Sequence, residues 1–168
     1  METDRQGLTV LFLGRHNSVR SPMAECLLNA IGGGRHHAYS AGFEPAGQIH
    51  PLAIELLSKN KLPADRLRSK AWQRFAAPGL LELNFVVSLC ELPPQQINAV
   101  WPGNPLLAHW PHADPGAVAG TDEEQRRAFF QTYNQLFRRL TIFASLPLDK
   151  LDREALKRRL DDIGAVES

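Results

Sequence analysis

One change of pattern near the start constrains the chain more than any other. Leu8 to Leu13 is an apolar run interrupted only by Thr9, and at Gly14 it gives way to the polar stretch GRHNSVR, which ends at Arg20. From Met23 to Ile31 the apolar residues return at helical spacing. That order predicts a strand, a glycine-led loop and a helix. Pro22 suits a first helical turn, where the amide it lacks would have no partner, and Ser21 is expected to cap the start. A loop in that position meets a helix N-terminus, where successive N–H groups and the positive end of the dipole favour an anion. Gly14, Arg15, His16, Asn17, Ser18, Val19, Arg20 and Ser21 are therefore expected to cradle a tetrahedral oxyanion. Arg20 would grip two of its oxygens and Arg15 would add charge.

Beyond this segment, strand and helix patterns alternate. Gly32, Gly33 and Gly34 end the first helix, and His36 to Ala41 reads as a second strand finishing at Gly42. A helix is expected from about His50 to Lys61, with Leu52, Leu56, Leu57 and Ala53 on its apolar side, and Pro63 closes it. Ser69 to Ala76 fits a short helix, and the β-branched run Asn84 to Cys90 fits a buried parallel strand. Pro93, Pro94, Pro102 and Pro105 exclude a central strand or long helix between Leu92 and Gly103, although one helical turn from the proline pair is tolerated. Leu106 to Trp110 is the last expected strand, and Pro111 to Gly120 is a loop. Thr121, with Glu124 three residues on, gives a capping-box signature for the longest helix. Its core face is read as Phe129, Tyr133, Leu136, Phe137, Leu140 and Phe143. The alternation predicts a three-layer α/β/α fold with a parallel sheet. Ligand should lie at the carboxyl ends of the strands, where the Gly14 loop, Cys90 and the loop holding Asp114 would gather.

Composition narrows the function. With 168 residues, 43% of them hydrophobic, the chain suits one domain with a real core, and a net charge of +1 gives no electrostatic basis for nucleic-acid or acidic-membrane binding. Two distant cysteines, Cys26 and Cys90, make no disulfide framework, and METDRQG carries no apolar leader segment; the expected location is the cytoplasm. Cys26, between Met23 and Leu27, reads as a small core residue. His109 and His112 lie on a strand end and a proline loop with no third ligand in spacing, and His36 and His37 would face opposite ways on a strand. Neither a metal nor a cofactor is expected. Residues 1–146 read as the domain and 147–168 as an amphipathic helical extension of it, with Leu148, Leu151, Ala155, Leu156, Leu160 and Ile163 on the apolar side. That helix either packs back on the sheet layer or forms a homodimer contact, with Lys157, Arg158 and Arg159 on the solvated face.

His16, Asn17, Ser18, Val19, Arg20, Ser21, Met23, Ala24 and Glu25 fall in register with a known pattern: a cysteine, five residues, an arginine, then serine or threonine. The segment resembles the active-site loop of the low-molecular-weight protein tyrosine phosphatases and the thioredoxin-coupled arsenate reductases. The resemblance spans roughly Val10 to Ala144 and implies a four-stranded parallel sheet. Asp114 and Pro115, within HWPHADPGAVAGTDEEQ, resemble the aspartate-proline pair of the arsenate-reductase branch, which implies Asp114 as the acid that protonates a leaving oxygen. At the place of the nucleophilic cysteine stands Gly14. The resemblance further implies that Asn17 holds a left-handed turn, that Ser18 is the hydroxyl serving the nucleophile, and that Cys90 matches a cysteine that attacks the first; the next cysteine of that relay falls at Ile97. The expected ligand is phosphate, sulfate or an arsenate-like anion, bound without the cysteine-dependent reaction. An active phosphatase or reductase using Cys90 or water, and a protein that recognises a phosphorylated protein partner, are the alternatives.

Overall fold

The computed structural model describes residues 8–79, 81–91 and 101–166. The apolar runs become four strands: β1 (Leu8–Gly14), β2 (His36–Gly42), β3 (Phe85–Ser88) and β4 (Leu106–His109). They pair in the order β2-β1-β3-β4, and every pairing is parallel. Gly14 lies opposite Gly42, Leu13 opposite Ser88 and Ser88 opposite His109, so the four carboxyl ends finish almost level. Connections run outward to either side of β1, which places the loop after it at the switch point of the sheet.

Among the described residues five helices cover the sheet: α1 (Arg20–Ile31), α2 (Pro51–Lys59), α3 (Gln73–Ala76), α4 (Asp122–Ala144) and α5 (Arg153–Gly164). One face of β1 and β3 presents Val10, Phe12, Phe85 and Val87 to Met23, Leu27, Leu28, Phe129, Leu136, Leu140 and Phe143. The other presents Leu11, Leu13 and Val86 to Phe75, Leu83 and Trp101. This is the expected three-layer α/β/α fold with a four-stranded parallel sheet.

Several boundaries differ from the sequence expectation, each for a local reason. Helix α1 begins at Arg20 with Val19 at its cap position and no side-chain cap, so Ser21 lies inside the first turn. Its hydroxyl instead accepts a hydrogen bond from Asn17 Nδ2 at 2.8 Å. Helix α2 starts after His50, whose Nδ1 accepts from Leu52 N at 3.1 Å. The helix expected from Ser69 shrinks to Gln73–Ala76 because Ala71 bridges to Gly42 as a parallel extension of the sheet. Phe137 is not core: it is 46% exposed and stacks on Tyr133, ring centroids 6.5 Å apart, at the margin of the apolar stripe. The capping box at Thr121 is present, with Glu124 N donating to Thr121 Oγ1 and Thr121 N to Glu124 Oε1. The helical turn allowed at Pro93 and Pro94 lies outside the described residues.

The C-terminal segment is two pieces rather than one helix. A 3-10 turn at Leu148–Lys150 precedes α5, which opens on Asp152 accepting from Ala155 N at 2.8 Å. Within the chain the helix packs back, burying Leu160 and Ile163, and its Leu160 carbonyl accepts from Trp110 Nε1 at 2.9 Å. Lys157 keeps to the solvated side, 45% of its side chain exposed, while its ammonium donates to Leu107 O and to Asp161 Oδ1.

Candidate functional site

The loop after β1 takes its shape from its neighbours. The carbonyls of Gly14, Arg15, His16 and Ser18 accept from the amides of Phe43, Glu44, Ala46 and His50, at 3.3, 2.8, 3.0 and 2.9 Å. Amides of residues 15 to 19 donate to no acceptor among the described residues. Those amides remain free for a ligand, and Gly14 to Ser21 and Asp114 line a small concavity. The loop can cross the end of β2 only because residue 42 is glycine: a Cβ there would sit 2.9 Å from both Arg15 O and Asn17 N. Asn17 holds the left-handed backbone, φ 48°, that the resemblance implies for it.

Charge enters from the start of α1 and the loop after β4. Arg20 is 9% exposed; its Nη1 donates to His112 O at 2.9 Å, and its Nη2 lies 3.8 Å from Asp114 Oδ2. Asp114 Oδ1 accepts from Gly116 N at 2.9 Å, capping the 3-10 turn Pro115–Ala117, so its second oxygen is the one turned to Arg20. Arg20 and Asp114 thus face each other across the loop. Arg15 lines the concavity too, yet its guanidinium turns outward to Glu44 at 3.3 Å.

Gly14 offers no side chain, and a Cβ built on it would lie 3.0 Å from Ser21 Oγ. The hydroxyl beside this position is therefore that of Ser21, not of Ser18 as the sequence suggested. The first turn of α1 carries Ser21 back beneath the strand end, whereas Ser18 contributes its carbonyl to His50. Cys90 is buried at the end of β3, and burial pushes its thiol up despite the pull of Arg20 and Arg15. It stays protonated.

Two supporting groups were not legible in sequence. On the β2 side, Glu25 and Lys70 approach at 3.9 Å with 15% of each side chain exposed. Ser40 Oγ donates to Glu25 at 2.5 Å, and Lys70 N donates to Asn17 Oδ1 at 2.7 Å. Burial pushes the Glu25 carboxyl up, against the lowering effect of Ser40 and Lys70, and pushes the Lys70 ammonium down. On the β4 side, His112 Nδ1 donates to Trp110 O at 2.8 Å, which leaves Nε2 to accept from Arg139 Nη1 at 3.3 Å. Burial, then the Arg139 cation, holds this imidazole down at about 4. His109 is occupied elsewhere, with Ser88 Oγ at 2.7 Å and Glu91 at 3.3 Å, so the two histidines do not converge.

Residues 9–154 match the low molecular weight phosphotyrosine protein phosphatase family. An arsenate reductase of Halalkalibacterium halodurans is 30% identical over 135 residues, 80% of this chain and 94% of that protein. A solved arsenate reductase in the phosphate binding state is 25% identical with a TM-score of 0.58, covering 79% of this chain and 96% of that one. A low molecular weight protein tyrosine phosphatase from T. tengcongensis superposes with a TM-score of 0.66 over 83% of this chain and 100% of that one; at 20% identity the likeness is one of fold.

Proposed function

Since the chain belongs to the low molecular weight phosphotyrosine protein phosphatase family, we propose that it binds phosphate-like oxyanions on the Gly14–Ser21 loop without the family's cysteine-dependent catalysis. The observation that carries this reading is the loop itself: carbonyls tied to the segment 43–50, amides of residues 15 to 19 with no acceptor among the described residues, Arg20 and Asp114 facing across it, and no side chain at residue 14. The relative solved in a phosphate binding state supports the choice of ligand. Phosphate, sulfate and arsenate share the four-oxygen shape that such a ring of donors recognises. Gly14 occupies the position of the attacking sulfur, so in-line attack on phosphorus or arsenic has no atom to begin from. Loss of a thiolate also removes a negative charge facing the anion, which favours binding. Cys90 does not replace it, because a buried, protonated thiol is a poor nucleophile. Asp114 keeps the place of the proton donor but has no leaving group to serve.

A phosphorylated side chain on a protein partner is the larger form of the same ligand. Among the described residues no helix is long and apolar enough to cross a membrane.

The test is direct. Sulfate, phosphate and arsenate should raise the melting temperature of the purified chain by mass action, while hydrolysis of an aryl phosphate stays at background. Clear turnover would overturn the proposal. Gly14→Cys is expected to gain hydrolysis, with the Ser21 hydroxyl shifting a few tenths of an ångström to admit the Cβ. No gain would mean that Arg20 and Asp114 are not arranged to work on a substrate.

A further inference from the structure

The carboxyl end of α5 is joined to the oxyanion loop through one buried guanidinium. Arg139, on α4, donates from Nη2 to Gly164 O at 3.1 Å and to Val166 O at 2.7 Å. From Nη1 it donates to Pro111 O at 3.2 Å and to His112 Nε2 at 3.3 Å. The carbonyl of the same His112 takes Arg20 Nη1 at 2.9 Å. Arg139 is 9% exposed and has no carboxylate within ion-pair distance among the described residues. Its charge is balanced by carbonyl oxygens, two of them at the negative end of a helix dipole.

The close approach of α5 is built in. A Cβ at Gly164 would stand 2.6 Å from His109 O and 2.7 Å from Trp110 Cδ1, so the helix reaches the strand end only because residue 164 is glycine. Holding a helix in place would be served by apolar contact alone, and burying an arginine for that purpose carries a large desolvation cost. The same cation, however, fixes the residue whose carbonyl orients Arg20.

We propose that Arg139 is a positioning residue for the oxyanion loop, tying the docked end of α5 to His112 and through it setting the orientation of Arg20. Anion affinity then depends on the docking of the C-terminal helix. This rests on the reading of Gly14–Ser21 as an oxyanion site. Arg20, His112 and Arg139 lie within the family match at residues 9–154, and Gly164 and Val166, which anchor the far end of the coupling, lie beyond it.

Three variants test it, Arg139→Gln, Arg139→Lys and Gly164→Ala, each read by sulfate calorimetry and by the Arg20 Nε–H resonance, assigned with Arg20→Lys. Sulfate stays dianionic across the working range, so its own protonation does not intrude. Arg139→Gln should weaken sulfate binding by about tenfold in folded protein, the worth of one charge-assisted hydrogen bond, and Arg139→Lys should restore part of it. Gly164→Ala leaves Arg139 in place but wedges α5 away, and it should weaken binding in the same direction. The Arg20 resonance should shift in both Arg139→Gln and Gly164→Ala. A lower melting temperature with sulfate affinity unchanged overturns the proposal, because Arg139 would then serve only to hold α5. Should Arg139→Gln fail to fold, Gly164→Ala decides by the same two readouts. Absence of sulfate binding by the unmodified chain would sink the oxyanion reading, whereas an unmoved Arg20 resonance in the variants sinks the positioning role on its own.

Discussion

On the β2 side of the Gly14–Ser21 loop the buried charges come as a matched pair; on the β4 side they do not. Glu25 and Lys70 neutralise each other beneath the strand ends, and their hydrogen bonds reach Ser40, Asn17 and, through Asn17, Ser21. That flank sets backbone shape. Across the loop, Arg20 and Arg139 bracket a neutral His112, with Asp114 the carboxylate in reach of Arg20. That flank leaves positive charge in excess. The contrast teaches that form and field in this site come from different residues: form from Glu25 on α1 and Lys70 between α2 and α3, field from Arg20 at the start of α1 and Arg139 on α4.

If this division holds, removing charge should abolish binding and leave the fold standing, while breaking the matched pair should do the reverse. The largest effect is expected for Arg20→Ala, which should weaken sulfate or phosphate binding by at least about a hundredfold, on the order of 3 kcal/mol, measured by calorimetry. Lys70→Met leaves Glu25 buried without its partner and should cost about 3 kcal/mol in urea unfolding, with a smaller change in anion affinity. An affinity loss as large as that of Arg20→Ala would erase the distinction.

Acid should then separate the flanks by sign. His112 holds about 4 in the fold against an ordinary 6.5, so the unfolded chain binds its proton more readily. Stability should fall as pH drops below about 6.5, by about 2 kcal/mol at pH 5, and level off below about 4. Glu25 acts oppositely: its raised carboxyl takes a proton more readily folded than unfolded, a contribution fully present below its ordinary 4.5 and lost as pH rises through its folded value. Unfolding at pH 7 and pH 5 should show this slope, to which the buried His36, its imidazole also pushed down by burial, adds in the same direction, and His112→Gln should remove the His112 share. As a control on neither flank, Thr121→Ala should cost about 1 kcal/mol through the lost cap and leave anion affinity unchanged.

The strand-loop-helix at the start was legible because it is local: an apolar run, a glycine, a proline two residues into the helix. The parallel sheet followed from alternation, and the capping box at Thr121 from two residues three apart. What escaped was what depends on distance. Lys70 meets Asn17 and Glu25 only after β2 and α2 have folded between them, and nothing in its neighbourhood marks it. His112 was weighed as a ligand for metal, since a lone histidine carries no sign of the arginine that will face it from another helix. Ser18 and Ser21 could not be told apart without knowing where the first turn of α1 begins. Phe137 satisfied helical spacing, yet spacing cannot say how wide a stripe the sheet will cover.

The bonded carbonyls of the loop have a consequence for its first residue. Because residues 43 to 50 act as the mould on which it is cast, its curvature does not depend on what stands at its first residue. A side chain at position 14 would therefore ask for a small shift of the Ser21 hydroxyl, 3.0 Å from where its Cβ would stand, while the bed on which the loop lies stays as it is.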